Sequence, residues 1–429
     1  MKLFSRKDIK TASVSSIAIK FGAAFFTFLN GILLARILTV EHFGYYILAL
    51  TTITLLSVPI TAGLPNLITR YVSKYEVHDN YDAIKGLLIK SHQYAGIAIL
   101  VVAAISGLLY VVWWKNLDTV LVETVALAFL LLPLLGINAL RTAFLRGMKL
   151  ILMSELPDTL FRNLLLTAAL VICWAFNMNL TPQDAMLLQV GAAFAGFVLG
   201  YVFLHRSLLR KLASVTPIFN TKEWIKETIP FTVNSGIQMV KTRLLTYVLA
   251  IFGSVEAVAL FEIAWRGSSL VSFTLDALNR AIAPFVSSAY ERDQRASLQR
   301  IVKKTGRIIF ACSLPIALVF MLGGTTLLGY VFGAAYEASY WALFIMCVGQ
   351  LFSAMTGSVG LLLNMTGNQG VFSKNNLIFL IVNVIISIPS ILLYDLEGAA
   401  FVYSVILVLQ NIILWRYVKK HLNINTAII

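Results

Sequence analysis

Five bases and one acid interrupt stretches otherwise apolar enough to cross a bilayer: Lys20, Arg162, Lys241, Arg243 and Arg266, with Glu262. An ionised side chain in the middle of a membrane-spanning helix costs at least ~2.5–3.5 kcal/mol on insertion scales. Such residues therefore face protein or a water-filled cavity rather than lipid. An excess of bases at that depth asks for an anion, and the polyanion a membrane offers is a phosphate or pyrophosphate headgroup. Lys241 makes the strongest case. It lies with Arg243 inside FTVNSGIQMVKTRLLTYVLAIFG, and no acidic residue falls within one helical turn of either. Two positions apart, the pair points to different helix faces, and the sequence leaves open which of them meets a cavity.

Amides accompany these bases. Asn234, Gln238 and Lys241 share an approximate i, i+4, i+7 stripe, and Asn30 lies on the same helix as Lys20. Such a lining suits sugar hydroxyls and water, although the same groups also hydrogen-bond between helices. Plainer readings stand beside the functional ones. Asp158 with Arg162 and Glu262 with Arg266 have i,i+4 spacing and can be ion pairs along one face. Lys20, about two turns inside its helix, can snorkel to the interface. Glu262 is the titratable group deep enough for proton or sodium coupling, unless Arg266 claims it.

The elements that hold these residues follow from composition. The chain has 429 residues, 59% hydrophobic and only 13% charged, about half the charge fraction of a soluble domain. Apolar runs near 12–37, 44–69, 87–112, 120–140, 150–176, 185–204, 229–252, 257–284, 308–329, 340–363, 375–394 and 398–415 each have a helical span's length. The net charge of +14 follows the membrane rather than nucleic acid. Most Lys and Arg gather at the two ends and in alternate loops, while the intervening loops hold acids such as Glu41, Asp118, Asp184, Glu256 and Glu337. By the positive-inside rule, both termini are then cytoplasmic. The KEWIKE segment reads as an amphipathic helix lying on the inner surface.

An internal repeat supports an even division. Leu34, Ala35, Val40, Glu41 and Ala49 recur at one constant offset as Leu249, Ala250, Val255, Glu256 and Ala264. The expected fold is all-α: twelve transmembrane helices in two six-helix bundles, related by a pseudo-two-fold axis along the membrane normal. The lobes are 1–206 and 229–429, joined by a cytoplasmic linker, 207–228.

Soluble catalytic signatures are missing. The histidines form no HExxH, and no Walker A loop occurs. Neither a metal nor a cofactor is called for. The hairpin LLARILTVEHFGYYILAL, FLRG after the fourth span, the KETIPF run opening the seventh and APFVSSAYERD closing the eighth carry a family likeness. With the length and layout of the whole chain, they resemble the Wzx-type polysaccharide and O-antigen flippases of the multidrug/oligosaccharidyl-lipid/polysaccharide exporter superfamily.

That resemblance implies a non-enzymatic transporter of the bacterial inner membrane. It would carry a lipid-linked oligosaccharide, typically on undecaprenyl pyrophosphate, to the periplasmic leaflet by alternating access. The family cavity is cationic and lined largely by helices one, two, seven and eight, which here carry Lys20, Lys241, Arg243 and Arg266. Membrane lipid and the polysaccharide polymerase machinery are the further partners it implies. Two other classes compete. A cation-coupled multidrug antiporter shares the helical plan, but extruding organic cations calls for an acid-rich cavity. A membrane enzyme of glycan polymerisation would need external carboxylate pairs and longer loops.

Overall fold

The computed structural model describes the backbone of residues 6–61, 63–113 and 118–428, with every side chain among them except those of 6–18, 113, 230, 233, 234 and 284. The described residues are almost wholly helical and contain no strand. The helices are α1 (Arg6–Ile37), α2 (Val40–Thr61), α3 (Leu64–Val77), α4 (Tyr81–Trp113), α5 (Thr119–Ala128), α6 (Leu131–Gly147), α7 (Ile151–Glu155) and α8 (Arg162–Ala175). They continue as α9 (Pro182–Leu204), α10 (Arg210–Leu212), α11 (Thr221–Phe252), α12 (Val255–Glu291), α13 (Arg295–Phe332), α14 (Tyr340–Thr356), α15 (Val359–Met365) and α16 (Gln369–His421). Wider π turns, Leu156–Phe161 and His205–Leu209, join α7 to α8 and α9 to α10.

Among the described residues, nine segments are long and apolar enough to cross a membrane, which makes this a multi-pass membrane protein. The 32-residue α11 and 37-residue α12 also have the length, but they carry Lys241, Arg243, Glu262 and Arg266. The 53-residue α16 is non-helical at Asp395 (φ 41°, ψ −115°) and turns a sharp corner there. A Cβ on Gly398 would stand 2.1 Å from the Ser390 carbonyl oxygen, so only glycine fits that corner.

The chain divides into two compact units, Met1–Val240 and Lys241–Ile429, and the division falls inside α11. In the first, Tyr46, Ile53, Leu67, Leu131 and Phe144 are fully buried where α2 packs on α6 and α9 and α3 packs on α6. In the second, Val286, Leu298, Val302, Leu362, Leu363 and Val418 form a core from α12, α13, α15 and α16.

Several helix ends are set by local chemistry. Asp118 accepts hydrogen bonds from the backbone N–H groups of Val120 (2.8 Å) and Leu121 (3.3 Å), starting α5. Thr181 and Asp184 cap α9 reciprocally, and Ser254 caps α12. The second apolar run, expected as one helix over 44–69, is broken instead. Gly63 takes φ +71° and Pro65 opens α3, since proline favours a first turn over a helix interior. Glycine is required at 63 twice over, because a Cβ would also come within 2.5 Å of the Thr232 backbone nitrogen on α11.

The KEWIKE segment is helical, as its pattern predicts. It forms the first turns of α11, where Trp224 is 3% exposed and donates to the Tyr75 hydroxyl. Tyr71 donates to Glu223 at 2.7 Å, and Arg70 pairs with Glu227 at 2.8 Å. Trp224 is thus held against α3, whereas Ile225 stays exposed. Residues preceding it form a strap fixed to α4. Lys85 Nζ donates to the Val215 carbonyl at 2.6 Å, Thr216 donates to Asp82 at 3.1 Å, and the Ile218 N–H donates to the Asp82 carbonyl at 3.1 Å.

Candidate functional site

The second unit holds Lys241 in neutral surroundings. Its ammonium donates to Asn376 Oδ1 at 2.7 Å and to Gln410 Oε1 at 2.9 Å. Both amides are buried, on the two arms of α16 on either side of Asp395, and Gln410 also donates to Asn376. No carboxylate completes the set among the described residues. A half-buried cation held only by amide oxygens keeps its whole charge available to an incoming anion.

Nearby in the same unit, one acid stands between two bases. Glu262 is 5% exposed. Its Oε1 accepts from Arg266 Nε at 2.9 Å, and its Oε2 lies 4.0 Å from Arg243 Nη1. The i,i+4 pairing of Glu262 with Arg266 is thus present, with Arg243 added from α11. The cluster carries one net positive charge.

The first unit repeats that ratio with other residues. Lys20 Nζ lies 3.4 Å and Arg146 Nη2 3.8 Å from Glu155 Oε1. Glu155 is buried, whereas Lys20 and Arg146 are exposed. Next to them, Asn138, Thr142, Arg146, Asp158 and Arg162 line a cavity of about 280 Å³. Arg162 is half-buried, and its Nε makes no hydrogen bond among the described residues.

Asp158 is not its partner. The carboxylate pairs with Arg141 and accepts from Thr142 Oγ1 at 3.2 Å, and Arg162 has no ion-pair partner among the described residues. Residues four apart fail to meet here because Asp158 lies in the π turn, whose i→i+5 bonding changes the angular register. Arg141 is 1% exposed, also donates to Asn138 at 3.1 Å, and was not among the charges singled out from the sequence. Its spacing of three from Asn138 was the available signal.

The predicted amides fare differently. Asn30 is buried between α1 and α8, donating to the Asn163 carbonyl at 3.1 Å and accepting from Thr167 at 2.6 Å. Both ends of its amide are spent on joining helices. Gln238 is exposed on α11. The side chain of Asn234 lies outside the described residues. Asn376 and Gln410 were missed altogether; the signal was an amide within each of the last two apolar runs, at the start of the eleventh and inside the twelfth. Among the described residues, no group of three or more His, Cys, Asp or Glu could hold a metal.

Two all-helical units, with half-buried bases set in helices otherwise apolar enough to cross a bilayer, are those of a multi-pass membrane protein. The chain belongs to the polysaccharide biosynthesis protein family, whose model matches residues 11–290. It is 18% identical over 177 residues to a probable low-salt glycan biosynthesis flippase, Agl15, of Haloferax volcanii; the match covers 41% of this chain and only 38% of that protein.

Solved structures share the fold at low identity. An inward-facing multidrug resistance MATE family transporter of the MOP superfamily gives a TM-score of 0.76 at 14% identity over 94% of each chain. The lipid II flippase MurJ in its inward closed conformation gives 0.72 at 12% identity, over 95% of this chain and 87% of that one. A MOP superfamily transporter from Pyrococcus furiosus, described as having a binding pocket of reverse polarity, gives 0.64 at 14% identity over 95% and 94%.

Proposed function

We propose that the protein is a flippase, not an enzyme, and that it moves a polyprenyl-pyrophosphate-linked oligosaccharide across the bacterial inner membrane by alternating access. The observation that carries this reading is Lys241, a cation held by the oxygens of Asn376 and Gln410 with no carboxylate in the set. A pyrophosphate can replace those amides without displacing an acid. Arg243 and Arg266, sharing the single Glu262, add a further net charge. In the first unit Lys20, Arg146 and Arg162 offer the same excess. An organic cation would find the opposite of what it needs.

In this reading the chain crosses the membrane twelve times, α16 contributing two crossings on either side of Asp395 and α11 and α12 one each. Residues 1–206 and 229–429 act as the lobes, with both termini in the cytoplasm. Undecaprenyl pyrophosphate is the carrier, the polymerase machinery receives the product, and the glycan serves O-antigen, capsule or exopolysaccharide. The fold relatives that include a lipid II flippase and the family's assignment to polysaccharide biosynthesis support this reading.

The test is to identify, by mass spectrometry after mild extraction, the lipids that co-purify with wild type and with Lys241→Ala. A pyrophosphate-linked glycolipid retained by wild type and lost in the variant is the expected result. Equal retention by both removes Lys241 from the site. Absence from both, with binding of organic cations, sinks the flippase reading.

A further inference from the structure

Arg300, Lys303, Lys304 and Arg307 near the start of α13 have the i, i+3, i+4, i+7 spacing of one helix face. Arg300, Lys304 and Arg307 are exposed and Lys303 is half-buried. With Gln299 and Ile308 they line a hollow of about 480 Å³. None of the four bases has an ion-pair or hydrogen-bond partner among the described residues. Three other exposed bases do pair with acids: Arg70 with Glu227, Lys149 with Glu76 and Arg295 with Asp293.

The face is braced from behind. Gln299 donates to the Asn425 carbonyl at 2.7 Å and accepts from the Asn425 N–H at 2.8 Å. Leu298 and Val302 are buried against Val418, Leu422 and Ile424. Residues near the end of the chain therefore hold one side of α13 and leave the basic side turned outward. The helix then continues into apolar sequence. Ile308, Leu318, Val319 and Leu322 are exposed large hydrophobics at helical spacing on the outward side. In a membrane protein such a face meets acyl chains, and bases one turn beyond it stand at headgroup depth.

We propose that this face of α13 binds an anionic phospholipid of the leaflet at that end of the bundle. Its phosphate sits among Arg300, Lys303, Lys304 and Arg307, and its tails run along 308–322. These four bases are separate from those assigned to the transported headgroup, so the two readings stand or fall independently. A juxtamembrane base near an anionic surface contributes about fivefold in affinity, so three together should give a large preference over a zwitterionic lipid.

The experiment uses the full chain in detergent, titrated with phosphatidylglycerol or with phosphatidylcholine of the same acyl chains, reading bound lipid by native mass spectrometry and Tm. Wild type should favour phosphatidylglycerol by at least tenfold. Arg300→Gln with Lys304→Gln and Arg307→Gln should lose that preference while keeping the wild-type Tm in phosphatidylcholine. Equal preference in both proteins overturns the proposal. So does inorganic phosphate matching phosphatidylglycerol in stabilising wild type, since the tails would then contribute nothing. Should the triple variant fold poorly, Lys304→Gln alone should lower the preference about fivefold. Arg300→Lys with Arg307→Lys should preserve it, and a loss in that charge-retaining pair also overturns the proposal.

Discussion

The ammonium of Lys241 lies 2.7 Å from the amide oxygen of Asn376, a residue 135 positions away, and the two meet without a carboxylate. A hydrogen bond to a charged group contributes about 1.5–3 kcal/mol, which is roughly 10–100-fold in affinity. Lys241→Gln should reduce retention of a pyrophosphate glycolipid by that factor. Asn376→Asp should do the same for the opposite reason, by giving the lysine a permanent counter-ion, and it should not lower Tm. Bound lipid per protein, measured beside the melting curve, separates lost charge from lost fold. Undiminished binding in Asn376→Asp would show that the charge of Lys241 is not what the ligand meets.

Glu262 and Glu155 each serve two bases, but in different surroundings. Arg266 is 17% exposed, whereas Lys20 is 46% exposed. Removing one partner of a buried pair costs about 3–5 kcal/mol; for solvent-exposed pairs the cost is about 0–1 kcal/mol. Glu262→Gln should therefore lower the melting temperature clearly more than Glu155→Gln. The reverse order would mean that Arg243 and Arg266 do not depend on the acid, and Glu262 would become free for ion coupling.

Arg141 is a structural base. Its pairing with Asp158 is part-buried, and Gly200 packs on its guanidinium so closely that a Cβ would stand 2.4 Å from Cζ. Arg141→Met should strip Asp158 of its partner and destabilise by about 3 kcal/mol, and adding Asp158→Leu should recover much of that loss. Gly200→Ala should destabilise through the clash alone. Thermal unfolding in detergent reads all three. No recovery in the double variant would place the role of Arg141 outside this pair.

Asp118 gives a pH signature at the other end of the bundle. A hydrogen bond from the Tyr45 hydroxyl, at 2.9 Å, and those from the α5 N–H groups hold its carboxyl below the usual aspartate range. A lowered folded-state value means that the stabilisation is complete above pH about 4. It is lost as pH falls through the lowered value. Asp118→Asn keeps a capping side chain but should flatten that acid dependence, while Asp118→Ala should cost about 1 kcal/mol at neutral pH. Melting curves between pH 3 and 7 on both variants check the sign.

Much of the fold was legible because a bilayer imposes it. Run length and apolarity mark the helices, and Lys20, Arg162, Lys241, Arg243, Glu262 and Arg266 stood out as charges where charges are costly. Their partners were not legible. Lys241 reaches Asn376 and Gln410 across 135 and 169 residues, and helical spacing carries no information at that range. Local spacing even misled at Asp158 and Arg162, where a π turn shifts the register. The break at Gly63 was masked by the uniform apolarity of its run, although Gly63 and Pro65 are breakers in plain view.

The strap over 213–220 has a consequence for anyone who would divide this protein genetically. Pinned to α4 at Val215, Thr216 and Ile218, it offers a protease little slack despite joining the sixth and seventh apolar runs. Halves co-expressed from a gene split there would also leave 221–240, which pack with the first unit, attached to the wrong fragment. Functional complementation from two pieces should therefore fail at this junction, where the hydropathy pattern would invite the cut.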